Sequence, residues 1–427
     1  MEKLYHYLWK TRLLGKKIPD NSGNEIEVID PGICNMDAGP DFFNAKLKVG
    51  DTVWIGNVEI HVKASDWFRH GHDNDPAYDN IILHVVGISD KEIKRKDGST
   101  IPQIELTFPE EFFYTVGVLS ENINQVRCSR FIKNLPELNV IDWLETLTVE
   151  RMQQKAGHIL DLYRESGNDW EQTAFIVFSR ALGFGLNSVP FELVAKRLPL
   201  KILHRHSDNI FQIQALVFGQ SALLDPSIYF NDSYYQSLCS EYYFLARKYD
   251  LSPIKQGLWK FSRTRPHNFP HRRLAFLSQS CENGFSLFSK IIETDFDIDD
   301  LKKIFNWEIG GYWDSHFSFG VDARSVNSHF TSASLNLLMI NVVVPLIYAY
   351  SSVCGDFEKG EKALTLLSEI AAENNTVIRQ WKDLGLTAKD ARHTQALIHL
   401  RKNYCDAGKC LYCRFGYYFL RKAGENY

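Results

Sequence analysis

Apolar and polar residues alternate with a period of two through roughly the first hundred positions, and from about residue 136 they recur at helical spacing almost to the end. Leu4, Tyr5, Leu8 and Leu13 share one helical face, which predicts a short opening helix stopped by Gly15. Alternation then predicts strands over 25–29, 42–49 and 52–63, the last two joined by a tight turn at Gly50-Asp51. Ser65 stands where it could cap a polar, histidine-bearing stretch that is either helix or loop. Residues 80–88 are almost continuously apolar, as in a strand covered on both faces, and 94–107 predict a hairpin arm turning at Asp97-Gly98.

In the helical part, Asp142 is a predicted cap for a helix carrying Trp143, Leu144 and Leu147. Asn168 or Asp169 caps one running through Ile176 and Leu182, and 361–381 is apolar at helical spacing through Leu364, Leu367 and Ile370. The proline-bearing stretch 131–138 marks the change of texture. The expected organisation is a mixed-sheet α/β domain over 1–115, a linker over 116–140, and an all-α domain over 141–427 that ends in a cysteine-rich motif.

Length and composition narrow the classes. A chain of 427 residues with 44% hydrophobic content is long enough for two or three domains with buried cores, and sustained disorder is excluded. The formal net charge of −4 and pI near 6.4 argue against a protein that coats nucleic acid non-specifically, yet leave room for a local basic groove. The first ten residues interleave charges with apolar side chains and predict no secretory signal. The longest apolar run, 337–349, is interrupted by Asn341 and Pro345 and falls short of the ~18 residues of a membrane span. A soluble, cytoplasmic protein is therefore expected. Eight cysteines are too few for a disulfide scaffold, and three cluster near the end, which reads as metal chemistry in a reducing compartment.

Chemically competent residues concentrate between 36 and 86. Asp41 and Glu59 fall on consecutive predicted strands, and alternation puts His61 and Lys63 on the same strand face as Glu59. The order helix, three strands, helix or loop, strand resembles the core of the PD-(D/E)XK nuclease superfamily, with Pro40-Asp41 and Glu59-Ile60-His61 at its motif positions. His61 stands where that family has lysine, and Lys63 lies one step farther along. The resemblance implies a restriction-endonuclease-like fold and a metal-dependent nuclease or nucleic-acid-processing phosphodiesterase. In it Asp41 and Glu59 would hold Mg²⁺ or Mn²⁺, and His61 or Lys63 would manage the attacking water.

Two other readings stay open: a degenerate core that only binds nucleic acid or protein, and a zinc or iron enzyme built on His61 with His70 and His72, since imidazole suits those ions. Asp73, Asp75 and Tyr78 thicken that histidine cluster, while His84, inside the apolar strand, reads better as a satisfied core residue.

Cys405-x4-Cys410-x2-Cys413 is the strongest local metal signal, with Cys128, Cys354 or His399 as candidate fourth ligand. Structural Zn²⁺ is the preferred occupant, and an iron–sulfur cluster suits the same donors. Arg263, Arg265, Arg272 and Arg273, with His267, Phe269 and two prolines, form a candidate contact to a nucleic-acid backbone. Finally, Gly39-Pro-Asp-Phe, Asn44-Ala, Gly56-Asn-Val-Glu-Ile-His, Ser65-Asp-Trp, His70-x-His72, Arg265-Pro-x-Asn-x-Pro and the stretch 404–413 together resemble an uncharacterised bacterial domain-of-unknown-function family over nearly the whole chain.

Overall fold

The computed structural model describes residues 2–12, 17–35, 37–108, 110–120, 126–228, 231–262, 264, 268–323 and 327–425. They divide into two units: Met1–Val140 together with Lys402–Tyr427, and Ile141–Arg401.

The first unit carries α1 (Glu2–Thr11), β1 (Lys17–Pro19), β2 (Glu25–Asp30), β3 (Ile33–Cys34), β4 (Phe42–Val49), β5 (Thr52–Lys63), α2 (Asp66–Arg69), β6 (Ile81–Ile88), β7 (Gln103–Glu105) and α3 (Glu110–Ser120). Its seven-stranded sheet runs β1-β2-β4-β5-β6-β7, with β3 beside β4. Pairings are antiparallel as far as β5, and β6 and β7 then add in parallel. The apolar run of β6 is buried from Ile81 to Val86 because strands flank it and helices cover it, as its unbroken hydrophobicity requires. Where β5 lies against β6, from Val58 to His61, it too is buried on both faces, although one face is polar.

The β4–β5 register shifts between Phe42↔Val58 and Ala45↔Gly56, a bulge at which Asn44 takes φ 56°. A short amide side chain tolerates that left-handed geometry, and the bulge re-aims the strand beside Asp41. The turn at Gly50-Asp51 pairs Val49 with Thr52 as the alternation predicts. One local expectation fails and one holds in part. Ser65 is not a side-chain cap: its hydroxyl and N–H both donate to Asp90, and α2 lasts only four residues. The 94–107 segment does turn back at Asp97-Gly98, with an antiparallel Lys94↔Thr100 bridge and the Ile101 N–H on the Ile93 carbonyl, but its second arm ends in β7, which pairs with β6 in parallel. The predicted stop at Gly15 lies outside the described residues; α1 ends at Thr11.

The closing segment belongs to this unit, not to the helical one in which the sequence reading had placed it. Helix α18 (Arg414–Glu425) buries Phe415, Phe419, Leu420 and Ala423 along one stripe, packs on α3, and sets Phe419 5.3 Å from Phe131.

The second unit is helical, apart from a ribbon of β8 (His316–Ser318) and β9 (Val321–Asp322). Its helices are α4 (Glu137–Glu165), α5 (Trp170–Leu182), α6 (Ser188–Arg197), α7 (Leu200–His204), α8 (Ile210–Gln220), α9 (Ser233–Tyr249), α10 (Pro270–Cys281), α11 (Leu287–Glu293), α12 (Ile298–Lys303), α13 (Ser332–Leu338), α14 (Val344–Cys354), α15 (Phe357–Glu369), α16 (Thr376–Asp383) and α17 (Ala391–His399). Asp169 caps α5 through the Gln172 N–H, whereas Asp142 lies inside α4, which begins at Glu137 just after Pro136 and runs for 29 residues. The 361–381 pattern splits into α15 and α16, with Asn375 capping the second. A π-helical turn at Met339–Val343 joins α13 to α14 just before Pro345, where the missing N–H loosens the ladder. The joined helix Ser332–Cys354 is 23 residues long, and by length and composition alone it could cross a membrane; 61% of its apolar window is buried within the unit. Asn341 and Pro345 interrupt the apolar run without ending the helix.

Candidate metal centre

Strand β5 and the turn after α2 bring polar side chains of the first unit to one point. Strand β5 supplies Glu59 and His61, two positions apart and so on one face. Helix α2 is too short to carry the chain away, and Gly71, at φ 76°, turns it back so that the His72 N–H reaches the Trp67 carbonyl. His70 and His72, on either side of that glycine, return over β5. One nitrogen from each of His61, His70 and His72 lies within 4.8 Å of the others. His61 Nε2 is 3.1 Å from His70 Nδ1, and Glu59 Oε1 is 3.1 Å from His72 Nε2 and 3.5 Å from His61 Nε2. Ligands of a tetrahedral ion held at about 2.0–2.1 Å stand about 3.3 Å apart. The three imidazoles are therefore spaced as donors to a single ion could be, and Glu59 lies beside two of them.

The chain around His61 fixes which nitrogen faces the group. The Lys91 carbonyl can only accept, so Gln103 turns its Nε2 toward it (3.4 Å) and toward Ser89 Oγ (2.6 Å). Gln103 Oε1 then accepts from His84 Nδ1 at 3.1 Å, which leaves His84 Nε2 to accept from His61 Nδ1 at 2.8 Å. His61 Nε2 is thereby left with its lone pair toward His70 and Glu59. Outer partners of this kind orient metal-binding imidazoles. His84, fully buried and opposite Glu59 in the parallel register, is thus the satisfied core residue expected of it and also the support for His61. Tyr78 stacks on His72 at 3.8 Å and completes the wall.

The electrostatics suit neutral imidazoles beside an acid. Burial, reinforced by His84, His72 and His70, pushes His61 down to about 2, and burial takes His84 to about 4. Glu59 is 4% exposed, and burial raises its carboxyl above the usual range although His72 pulls the other way. Asp41, immediately before β4, braces it. The Asp41 N–H donates to Glu59 Oε2 at 3.2 Å, while the Ile60 N–H donates to Asp41 Oδ2 at 2.9 Å. His6, on α1, comes within 3.2 Å of the same Asp41 oxygen. Burial opposes its charge, but the Asp41 carboxylate, helped by Glu2 and Glu59, outweighs this and raises the imidazole above its ordinary value.

A family model matches residues 2–376. The chain belongs to that family, Protein of unknown function (DUF2851). No curated protein and no solved structure matches it significantly. The family span takes in the whole histidine centre and Cys128 and stops short of Cys405, Cys410 and Cys413.

Other predicted site residues fall elsewhere. Lys63 is exposed, and the charge it influences is that of Asp90. Arg272 and Arg273 are 1% and 4% exposed, so they are internal struts and not phosphate contacts. Arg272 donates to the carbonyls of Trp313 and Asn327, and Arg273 donates to Asn268 and lies 4.3 Å over the Phe184 ring. Arg263, Arg265 and His267 lie outside the described residues. Asp75 caps the turn at Pro76–Tyr78, and Asp73 is exposed and accepts from the Asn74 side-chain amide. Sequence reasoning missed His6 and Gln103. Neither has a local signature, because each acquires its role from a strand distant in the chain.

Proposed function

We propose that the first unit is a metal-dependent hydrolase whose transition-metal ion, zinc or iron, sits on His61, His70 and His72 with Glu59 alongside. The observation that carries this reading is the convergence of the three imidazoles, with the His61 lone pair aimed by the chain through His84 and Gln103. His70 is exposed, so the group has an open side for water and substrate. When bound, the ion supplies a Lewis acid and lowers the pKa of water. Glu59, raised by burial and held by the Asp41 N–H, is the group placed to take a proton beside it.

A phosphodiester is the substrate class with the most support. What supports it is the sequence resemblance to the PD-(D/E)XK core, with a helix, antiparallel strands, a short helix and a parallel strand in this unit, and the Asp41 N–H bonded to Glu59. In that second reading Mg²⁺ or Mn²⁺ on Asp41 and Glu59 would cleave nucleic acid. One experiment separates the two. Protein purified without chelators is analysed for metals and assayed on nucleic acid and on simple phosphodiesters. The histidine reading expects His70→Ala and His72→Ala each to lose about one equivalent of zinc or iron per chain together with hydrolysis. Unchanged metal content in both variants would overturn it. Activity that depends on added Mn²⁺ and is lost in Asp41→Asn alone would favour the nuclease reading instead.

A further inference from the structure

Away from the histidine centre, four cysteines of the first unit surround one small cavity, which Arg127 and Gly416 also line. Cys128 sits in the turn Arg127–Arg130. Cys405 ends a π-helical turn over Leu400–Cys405, Cys410 opens the turn Cys410–Tyr412, and Cys413 immediately precedes α18. Backbone hydrogen bonds from Gly408 to Cys405, from Lys409 to Tyr404 and from Cys413 to Cys410 wrap this segment around the cavity. Its closure depends on Gly416, since a Cβ there would lie 2.0 Å from the Cys410 carbonyl oxygen.

The geometry points to an iron–sulfur cluster bound by Cys128, Cys405, Cys410 and Cys413. The spacing Cys-x4-Cys-x2-Cys with a distant fourth cysteine is one that iron–sulfur sites use, although here the fourth ligand precedes the run. Sulfur separation distinguishes a cluster from a single zinc ion. Four thiolates at 2.3 Å from Zn²⁺ stand about 3.8 Å apart. Among the described residues, the group of three or more potential ligands within 4.8 Å of one another is the histidine trio, so the cysteine sulfurs are spread more widely than a lone zinc would hold them. A cluster interposes several iron and sulfide ions between its thiolates, so it suits this wider spacing, and it would widen a cavity of about 10 Å³ as it fills it. Four thiolates around it leave a net negative charge, and the Arg127 guanidinium lies beside Cys410 to offset it. The cluster would clasp the closing segment to the turn after α3, tying together the two stretches of chain that make this unit.

The test is iron and acid-labile sulfide analysis of the full chain purified without oxygen, or reconstituted with ferrous iron and sulfide. Wild-type protein should carry acid-labile sulfide with at least as much iron, and a visible charge-transfer absorption. Cys128→Ser and Cys410→Ser should lose at least three-quarters of the sulfide and of the iron that accompanies it, while Cys354→Ser, in the second unit, should keep both. Wild-type protein without sulfide after reconstitution, or with a zinc ion that Cys128→Ser removes, would overturn the proposal. The wild-type measurement decides even if the serine variants fold poorly, and neither result bears on the histidine centre.

Discussion

Gln103 touches no candidate metal donor, yet it sets the proton on His84 and, through it, the lone pair of His61. Replacing it with leucine removes the acceptor and leaves His84 Nδ1–H unsatisfied in a buried site. We expect Gln103→Leu to weaken binding of zinc or cobalt by about 10–100-fold, read by competition with a coloured chelator. Unchanged affinity would show that the His61 tautomer is not governed by this chain. At this scale the sequence was most informative where chemistry is written in residue types. Glu59, His61, His70 and His72 stand out by their density alone. Gln103 and His6 did not, because an amide in a short strand and a histidine in an amphipathic helix look ordinary until strand pairing brings a partner beside them. The arginines erred in the opposite direction: Arg272 and Arg273 look exposed in a stretch of prolines and charges, but Arg272 is held by carbonyls at Trp313 and Asn327 and Arg273 by Asn268 and the Phe184 ring, partners that no local pattern announces.

Between α2 and β6, the reversal at Gly71 places both neighbouring histidines over β5. A Cβ there would meet nothing within 4 Å, so the cost of a side chain is conformational rather than steric. Gly71→Ala should lower the unfolding free energy by about 1–2 kcal/mol, measured by urea titration, and weaken metal binding as the turn relaxes. Full stability and affinity in that variant would mean the turn is not held in its left-handed form. Strands were legible wherever alternation or continuous apolarity was strong, as in β4, β5 and β6. The partners of those strands were not, since nothing local distinguishes a hairpin over 94–107 from a short arm that lets β7 join in parallel. Helix ends were misread for a related reason. Asp142 looks like a cap but lies on the polar side of a helix begun at Glu137, and the break between α15 and α16 is set by Asn375 in an otherwise periodic stretch.

For the molecule as a whole, acid stability should be governed in part by an ion-pair group of the second unit. Glu192 faces His158, Arg180 and Lys196. The His158 hydrogen bond, together with Arg180 and Lys196, outweighs burial and holds the carboxyl down to about 2. The folded value lies below the unfolded one, so the unfolded chain binds more protons as pH falls. The stabilisation is present above about pH 4.3 and disappears on descending toward pH 2, amounting to no more than about 3 kcal/mol. The urea midpoint of wild-type protein should fall more steeply between pH 5 and pH 2.5 than that of Glu192→Gln, and parallel slopes would refute the assignment. Two units were legible from the change of texture near residue 136, but their composition was not: periodicity cannot reveal that α18, helical like its predecessors in sequence, buries its apolar stripe against α3. That return has a consequence for biosynthesis. Cys405 emerges from the ribosome about 280 residues after Cys128, a delay of roughly 15–55 s at ordinary elongation rates. Throughout that interval the nascent first unit lacks its last helix and three of its four clustered thiols. Delivery of iron and sulfide to that cluster would therefore have to follow translation.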